Sequence, residues 1–191
     1  SILMYICVLG QNSISFTINT NKNRKDISQY IYGTNQYNIT SNDALNSSVN
    51  RFGGNRSTAY NWENNFSNAG SDYIHNNDNW WVTIIGLDAG TWGSVSGSVL
   101  QSKIDTCKKA KMSPIITVQT AGYVSADGNG SVSCTAPCNR WIPVYATKPS
   151  GVYEYPPNKT DNAVYMDEMI KWLVSKYGTA ANGGVPFYEL D

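Results

Sequence analysis

Charge is scarce in this sequence. Acids and bases make up 15% of its 191 residues, and 14 Lys and Arg balance 14 Asp and Glu to a formal net charge of zero. A nucleic-acid groove needs a clustered basic excess, so that class of partner is excluded. The one basic run, residues 21–25 (NKNRK), reads as a solvated turn. Histidine occurs once, at His75, and no pair of cysteines has zinc-ligand spacing. No apolar run is long enough to span a bilayer, so no membrane partner is expected; the apolar first ten residues (SILMYICVLG) are too short. Phosphate-binding and dinucleotide-binding glycine motifs are missing, as is any repeat of solenoid period.

What the chain has instead is amides, hydroxyls and rings: aromatics reach 12%, with six Trp and thirteen Tyr. That mixture suits a neutral, polyhydroxylated ligand, whose C–H faces pack on rings and whose hydroxyls pair with amides. Hydrophobic content of 41% supports a core, and the length fits one domain or one domain with an appendage. Sequons without Pro in the middle position occur at Asn38, Asn46, Asn55, Asn65, Asn129 and Asn158. Used sequons imply a secretory route, an extracellular location and surface positions. Cys134 and Cys138 bracket a short loop (CTAPC) that can close a disulfide, although four cysteines allow three pairings and spacing does not choose among them. Residues 1–10 read either as the tail of a signal peptide or as a buried or edge strand.

Residues 14–19 (ISFTIN) alternate as a strand does. Residues 27–36, 48–54, 114–120 and 185–191 are short apolar or β-branched runs that end in polar residues or Gly, as strands buried on both faces do. Helical spacing covers 98–111, where Val99, Ile104 and Cys107 lie opposite Lys103, Lys108 and Lys109. It also covers 161–177, with Thr160 or Asp161 as the expected N-cap and Gly178 after its end. Strand–helix–strand units in series predict an α/β fold with a parallel sheet. The segments 62–97 and 121–159 are too long for plain connections and are expected to build a binding site.

Five stretches stand in a recognisable order: IYGTNQ (31–36), RFGGNRSTAYNWENNFSNAG (51–70), VQTAGYVSAD (118–127), TDNAVYMDE (160–168) and FYELD (187–191). Together they resemble the N-terminal half of glycoside hydrolase family 44, from about Ile14 onward. The resemblance implies endo-acting hydrolysis of β-1,4-glucan or xyloglucan, and a (β/α)8 TIM barrel joined to a β-sandwich. On that basis residues 1–12 are a signal-peptide remnant or edge strand, 13–26 a strand of the accessory sandwich, and 27–191 the first half of the barrel with about four strands. It further implies a retaining mechanism, whose two carboxyls stand about 5–5.5 Å apart. The catalytic acid belongs to an Asn-Glu-Pro motif that follows the segment matching 187–191, and the nucleophile lies further downstream, so no catalytic residue is expected within these 191. No cofactor is required.

Asn35, Arg51, Asn55, Trp62, Gln119 and Tyr123 are the expected substrate-binding residues, placed at or just after strand ends. Arg51 equally reads as a brace for the rim, and so does Trp62. Trp80 and Trp81 are a sugar platform or loop packing. Glu189 points into the barrel or toward its helices. Glu63 reads as a ligand of a structural calcium ion or as a brace behind the site, with Asp161 as co-ligand or helix cap. Asp167 and Glu168 are expected in solvent. The expected glycan carriers are Asn38, Asn46, Asn65, Asn129 and Asn158. The expected partner is a β-glucan polysaccharide, with self-association through open sheet edges. An alternative is a non-catalytic extracellular structural, fibre or carbohydrate-binding protein derived from this fold.

Overall fold

A computed structural model describes residues 14–191, so the readings of residues 1–12 lie outside it. Its strands are β1 (Gly33–Thr34), β2 (Val49–Phe52), β3 (Ser67–Asn68), β4 (Asn76–Asp78), β5 (Ser113–Val118), β6 (Tyr123–Ser125), β7 (Gly130–Ser131), β8 (Trp141–Tyr145), β9 (Val164–Tyr165) and β10 (Phe187–Leu190). Its helices are α1 (Ser41–Asn46), α2 (Asn55–Thr58), α3 (Trp80–Ile84), α4 (Ser98–Lys109) and α5 (Met166–Tyr177).

The central sheet has four strands in the order β1-β2-β5-β10, and every pairing is parallel. The four apolar runs supply these strands because their β-branched and aromatic residues fit a pleated surface covered on one or both sides. Alternation sends Phe52, Ile116 and Val118 to one face, where they meet Val99, Leu100 and Ile104 of α4. Burying Leu100 and Ile104 fully, as here, stabilises by roughly 1.5–3 kcal/mol each relative to exposure. Arg51, Thr117 and Glu189 take the opposite face.

Gly97 begins α4 in the left-handed region at φ 72°, and a Cβ there would collide with the Trp172 ring. Glycine is needed twice over, for the backbone and for the fit of α5 against α4.

Helix α5 starts at Met166, later than Thr160 or Asp161 would place it. Neither residue caps it. Asp161 accepts from the Ala163 N–H at 3.4 Å, while Val164–Tyr165 pairs in parallel with Val144–Tyr145. Strand pairing thus claims the residues that a cap reading assigned to the first turn. Glu168 is not in solvent either. It is 1% exposed and bonded to Lys148 Nζ at 2.6 Å and to the Glu154 N–H at 2.8 Å. Asp167 accepts the Lys148 N–H and the Tyr153 hydroxyl, so both acids of the first turn clamp the 146–155 loop.

The two long segments are built as small ribbons. β3, β4 and β7 form an antiparallel sheet; β8 pairs antiparallel with β6 and parallel with β9. Amides hold them: Asn68 Nδ2 donates to Asn77 Oδ1 at 2.7 Å, and Asn77 Nδ2 to the Arg140 carbonyl at 3.1 Å. Residues 14–19 form no strand, and Ile14, Phe16 and Ile18 are 77%, 86% and 84% exposed.

Candidate functional site

Every strand of the central sheet ends at the same rim, and the loops there enclose two cavities that share Asn55. The first, about 220 Å³, is lined among others by Asn35, Tyr37, Asn55, Tyr73 and Trp80. The second, about 320 Å³, is lined among others by Asn55, Ala59, Asn68, Tyr123 and Trp141. Thr58 at the end of α2 donates to Asp191 Oδ2 at 2.9 Å, which ties the β2 side of the rim to the β10 side.

The residue types explain the geometry. Gly53 lets β2 end under the Arg51 and Glu189 side chains, which a Cβ there would strike. Asn55 opens α2 and donates to Asp72. Arg56 pairs with Asp78, its Nη2 at 3.1 Å from Oδ2, and its guanidinium lies 4.8 Å from the centre of the Trp80 ring. Tyr37 meets Trp80 edge-on at 4.8 Å. The mouth is therefore walled by rings and rimmed by amides, and its arginines are already paired.

Beneath it, Arg51 Nε donates to both Glu189 oxygens at 2.9 and 2.7 Å, and Thr117 Oγ1 donates to Glu189 Oε1 at 2.8 Å. Glu189 therefore points away from the helices and joins three strands. Hydrogen bonding to Glu189 raises the Arg51 pKa further above its ordinary value.

Asn35, Asn55 and Tyr123 line the mouth. Three other expected residues do not, and the first of them, Arg51, lies beneath, held by Glu189. Trp62 is 0% exposed and stacks on Trp172 at 5.6 Å between centroids, and Tyr155 also stacks on Trp172, at 5.2 Å. A ring with no exposed face cannot receive a sugar, so Trp62 braces the core. Gln119 is 2% exposed, and its Nε2 donates to the Ser57 carbonyl at 2.8 Å, supporting α2 from behind. Trp81 is 2% exposed and packs into the core, and it lines the floor of the first cavity beside Trp80. Tyr37, Asp72, Tyr73 and Trp141 were not among the expected residues. Only aromatic or acidic character could have marked them, within the long segments for Asp72, Tyr73 and Trp141 and just after the first strand for Tyr37.

Glu63 lies behind the mouth, 4% exposed, with its Oε1 lacking any hydrogen-bond partner. Burial first, then the charges of Asp161 and Glu168, raises its pKa from 4.5 to about 8. It lines a cavity of about 180 Å³ together with Asn61, Asn64, Lys159 and Asn162. Among the described residues no group of three or more His, Cys, Asp or Glu is arranged to hold a metal. A hard cation also takes carbonyl and amide oxygens, so the unpartnered carboxylate oxygen and the nearby Asp161 charge fit one.

Cys134 and Cys138 are joined by a disulfide, and Cys107 is a buried free thiol. Asn38, Asn46, Asn129 and Asn158 are exposed. Asn65 is not: it is 0% exposed, accepts the Tyr60 hydroxyl at 2.7 Å and donates to the Val95 carbonyl at 2.7 Å. The folded chain has no room for a glycan there, which corrects the expectation for Asn65.

A parallel α/β sheet whose loops build an aromatic, amide-rimmed mouth at the carboxyl ends of its strands defines the class. The chain belongs to glycoside hydrolase family 44, whose family model matches residues 66–191. It is 44% identical over 184 residues to a β-mannanase/endoglucanase A of Caldicellulosiruptor saccharolyticus, covering 93% of this chain and 13% of that protein. Endoglucanase A of Paenibacillus lautus is 41% identical over 183 residues, covering 94% and 25%. Among solved structures, a Paenibacillus polymyxa xyloglucanase of the same family, determined with xyloglucan, superposes with a TM-score of 0.81 at 45% identity, covering 87% of this chain and 32% of that one. A family 44 endoglucanase from Clostridium thermocellum gives 0.80 at 44%, covering 88% and 33%. The chain thus spans a quarter or less of the curated relatives and about a third of the solved structures.

Proposed function

We propose that this chain forms part of a secreted hydrolase that cleaves internal β-1,4 bonds of glucan or xyloglucan with retention. In this reading the four parallel strands open a (β/α)8 barrel over 27–191, residues 13–26 belong to an accessory sandwich, and the two catalytic carboxylates lie beyond Asp191. Such a barrel puts its active site at the carboxyl ends of its strands. The observation that carries the reading is the mouth that Asn35, Asn55 and Tyr123 share at those ends. The closing strands would cover the face on which Arg51, Thr117 and Glu189 meet. Glu63 and Asp161 would hold a calcium ion that neutralises the buried acid. Assayed on cellulose and xyloglucan, the longer protein is expected to release products whose anomeric configuration, followed by NMR, matches that of the substrate. Inversion, or no hydrolysis of either polymer, overturns the reading.

A second reading, a non-catalytic extracellular binding or fibre protein, draws support from the open edges of the sheet at β1 and β10 and from 77% exposure of Leu190. Edges of that kind add strands from other chains. The hydrolysis assay separates the two.

A further inference from the structure

One wall of the second cavity belongs to the short loop closed by the Cys134–Cys138 disulfide, whose Ala136 lines the space. The loop is tied to Trp141 at two points. The Trp141 backbone N–H donates to the Cys138 carbonyl at 3.0 Å, and the indole Nε1–H donates to the Cys134 carbonyl at 3.2 Å. On its other side Trp141 stands opposite Ser125 in the β6–β8 pairing. Its neighbour Arg140 is fixed to Asp127 by bonds of 2.7 and 2.9 Å.

An indole with its N–H already committed has only its faces to offer a ligand. Tyr123 and Ala59 line the same cavity, as does the exposed Asn55, while the buried Asn68 amide is spent on His75, Asn77 and Gly70. Apolar walls with the Asn55 amide beside them match a pyranose ring, which is apolar above and below and hydroxylated around its circumference. Resting on the β-glucan reading above, we propose that Trp141 is a stacking platform for a sugar unit on the far side of Asn55, and that the Cys134–Cys138 disulfide is the positioning element that holds the ring in place. A chain closed over so few residues has little freedom, so the two carbonyls that grip Trp141 are fixed with it. Opening the bond frees loop and ring, and a ligand must then order both.

Calorimetric titration of the protein with cellohexaose and with a xyloglucan oligosaccharide tests this. Trp141→Ala is expected to weaken binding roughly tenfold or more, the scale of losing one ring stacked on an aromatic. Trp141→Phe should keep most of the affinity. Combined Cys134→Ser and Cys138→Ser, or chemical reduction of the unmodified protein, should also weaken binding. In that background Trp141→Ala should cost less than in the unmodified protein, because both changes remove one interaction. Tryptophan emission gives a readout that does not depend on the alanine variant. Saturating oligosaccharide should shift it more in the unmodified protein than in Trp141→Phe. Unchanged affinity of a folded Trp141→Ala, or equal emission shifts, overturns the platform. Strictly additive losses overturn the positioning role. If the unmodified protein binds neither oligosaccharide, the β-glucan reading falls and this proposal with it.

Discussion

At the scale of single residues, Glu63 has the most to say. With its pKa raised to about 8 in the fold and near 4.5 unfolded, the folded state holds the extra proton between those values. Stability is therefore fully present below about pH 4.5 and falls as pH rises through about 8. Thermal unfolding in chelator should show that decline. Calcium should flatten it, and Glu63→Gln should lose both the slope and the calcium effect; an unchanged slope in Glu63→Gln would falsify the assignment. Trp62 offers a second check. Fully buried against Trp172, its truncation to Ala should cost about 3–5 kcal/mol in denaturant unfolding, the scale of losing a large core side chain. A loss of oligosaccharide affinity at intact stability would instead return Trp62 to the mouth. Its neighbours in sequence explain why it was misplaced. Arg56, Tyr60, Trp62 and Asn65 share one short aromatic and amide-rich stretch, yet only Arg56 lines the first cavity and the other three are buried. A helix of four residues and the turns after it have no period from which to read direction.

Among elements, those that follow a period were legible and those held by side-chain amides were not. The runs containing β2, β5 and β10 announce themselves through β-branched and aromatic residues, and α4 through its apolar stripe. The β3–β4–β7 ribbon is written in Asn, Ser, Asp and Gly, which are poor strand formers; Asn68 and Asn77 bond each other and the neighbouring backbone to hold it. Tertiary pairing also shortened α5 at its start. The junction of α5 with the 146–155 loop is testable as a unit. Lys148 and Glu168 are 10% and 1% exposed at their side chains. Lys148→Ala leaves the acid buried and unpaired and should destabilise by about 3–5 kcal/mol, whereas Lys148→Met combined with Glu168→Leu should lie much closer to neutral. Equal losses in the two variants, measured by chemical denaturation, would refute that picture.

The whole molecule carries an unfinished surface. Ile14, Phe16, Ile18, Ile27, Ile31 and Tyr32 are all more than half exposed, and among the described residues no strand pairs with the outer edge of β10. Folded alone, this chain should associate with itself through that edge. Leu190→Lys should shift it toward monomer in sedimentation velocity, since a charge on an edge strand opposes pairing. An unaltered distribution would point to the residue 14–32 segment instead. A parallel sheet followed from the strand–helix–strand alternation, and the succession of its four strands is what the family resemblance implied. Which loop residues face the mouth followed from neither, because that depends on how two ribbons without periodicity fold back upon it.

The internal pairing of the mouth's arginines bears on what can enter. Arg51 is held by Glu189 and Arg56 by Asp78. A carboxylated or sulfated polymer would have to break one of those pairs to gain a counterion, while an uncharged chain slides in at no electrostatic cost. In the proposed hydrolase, discrimination against acidic polysaccharides would follow from what the cations are already doing.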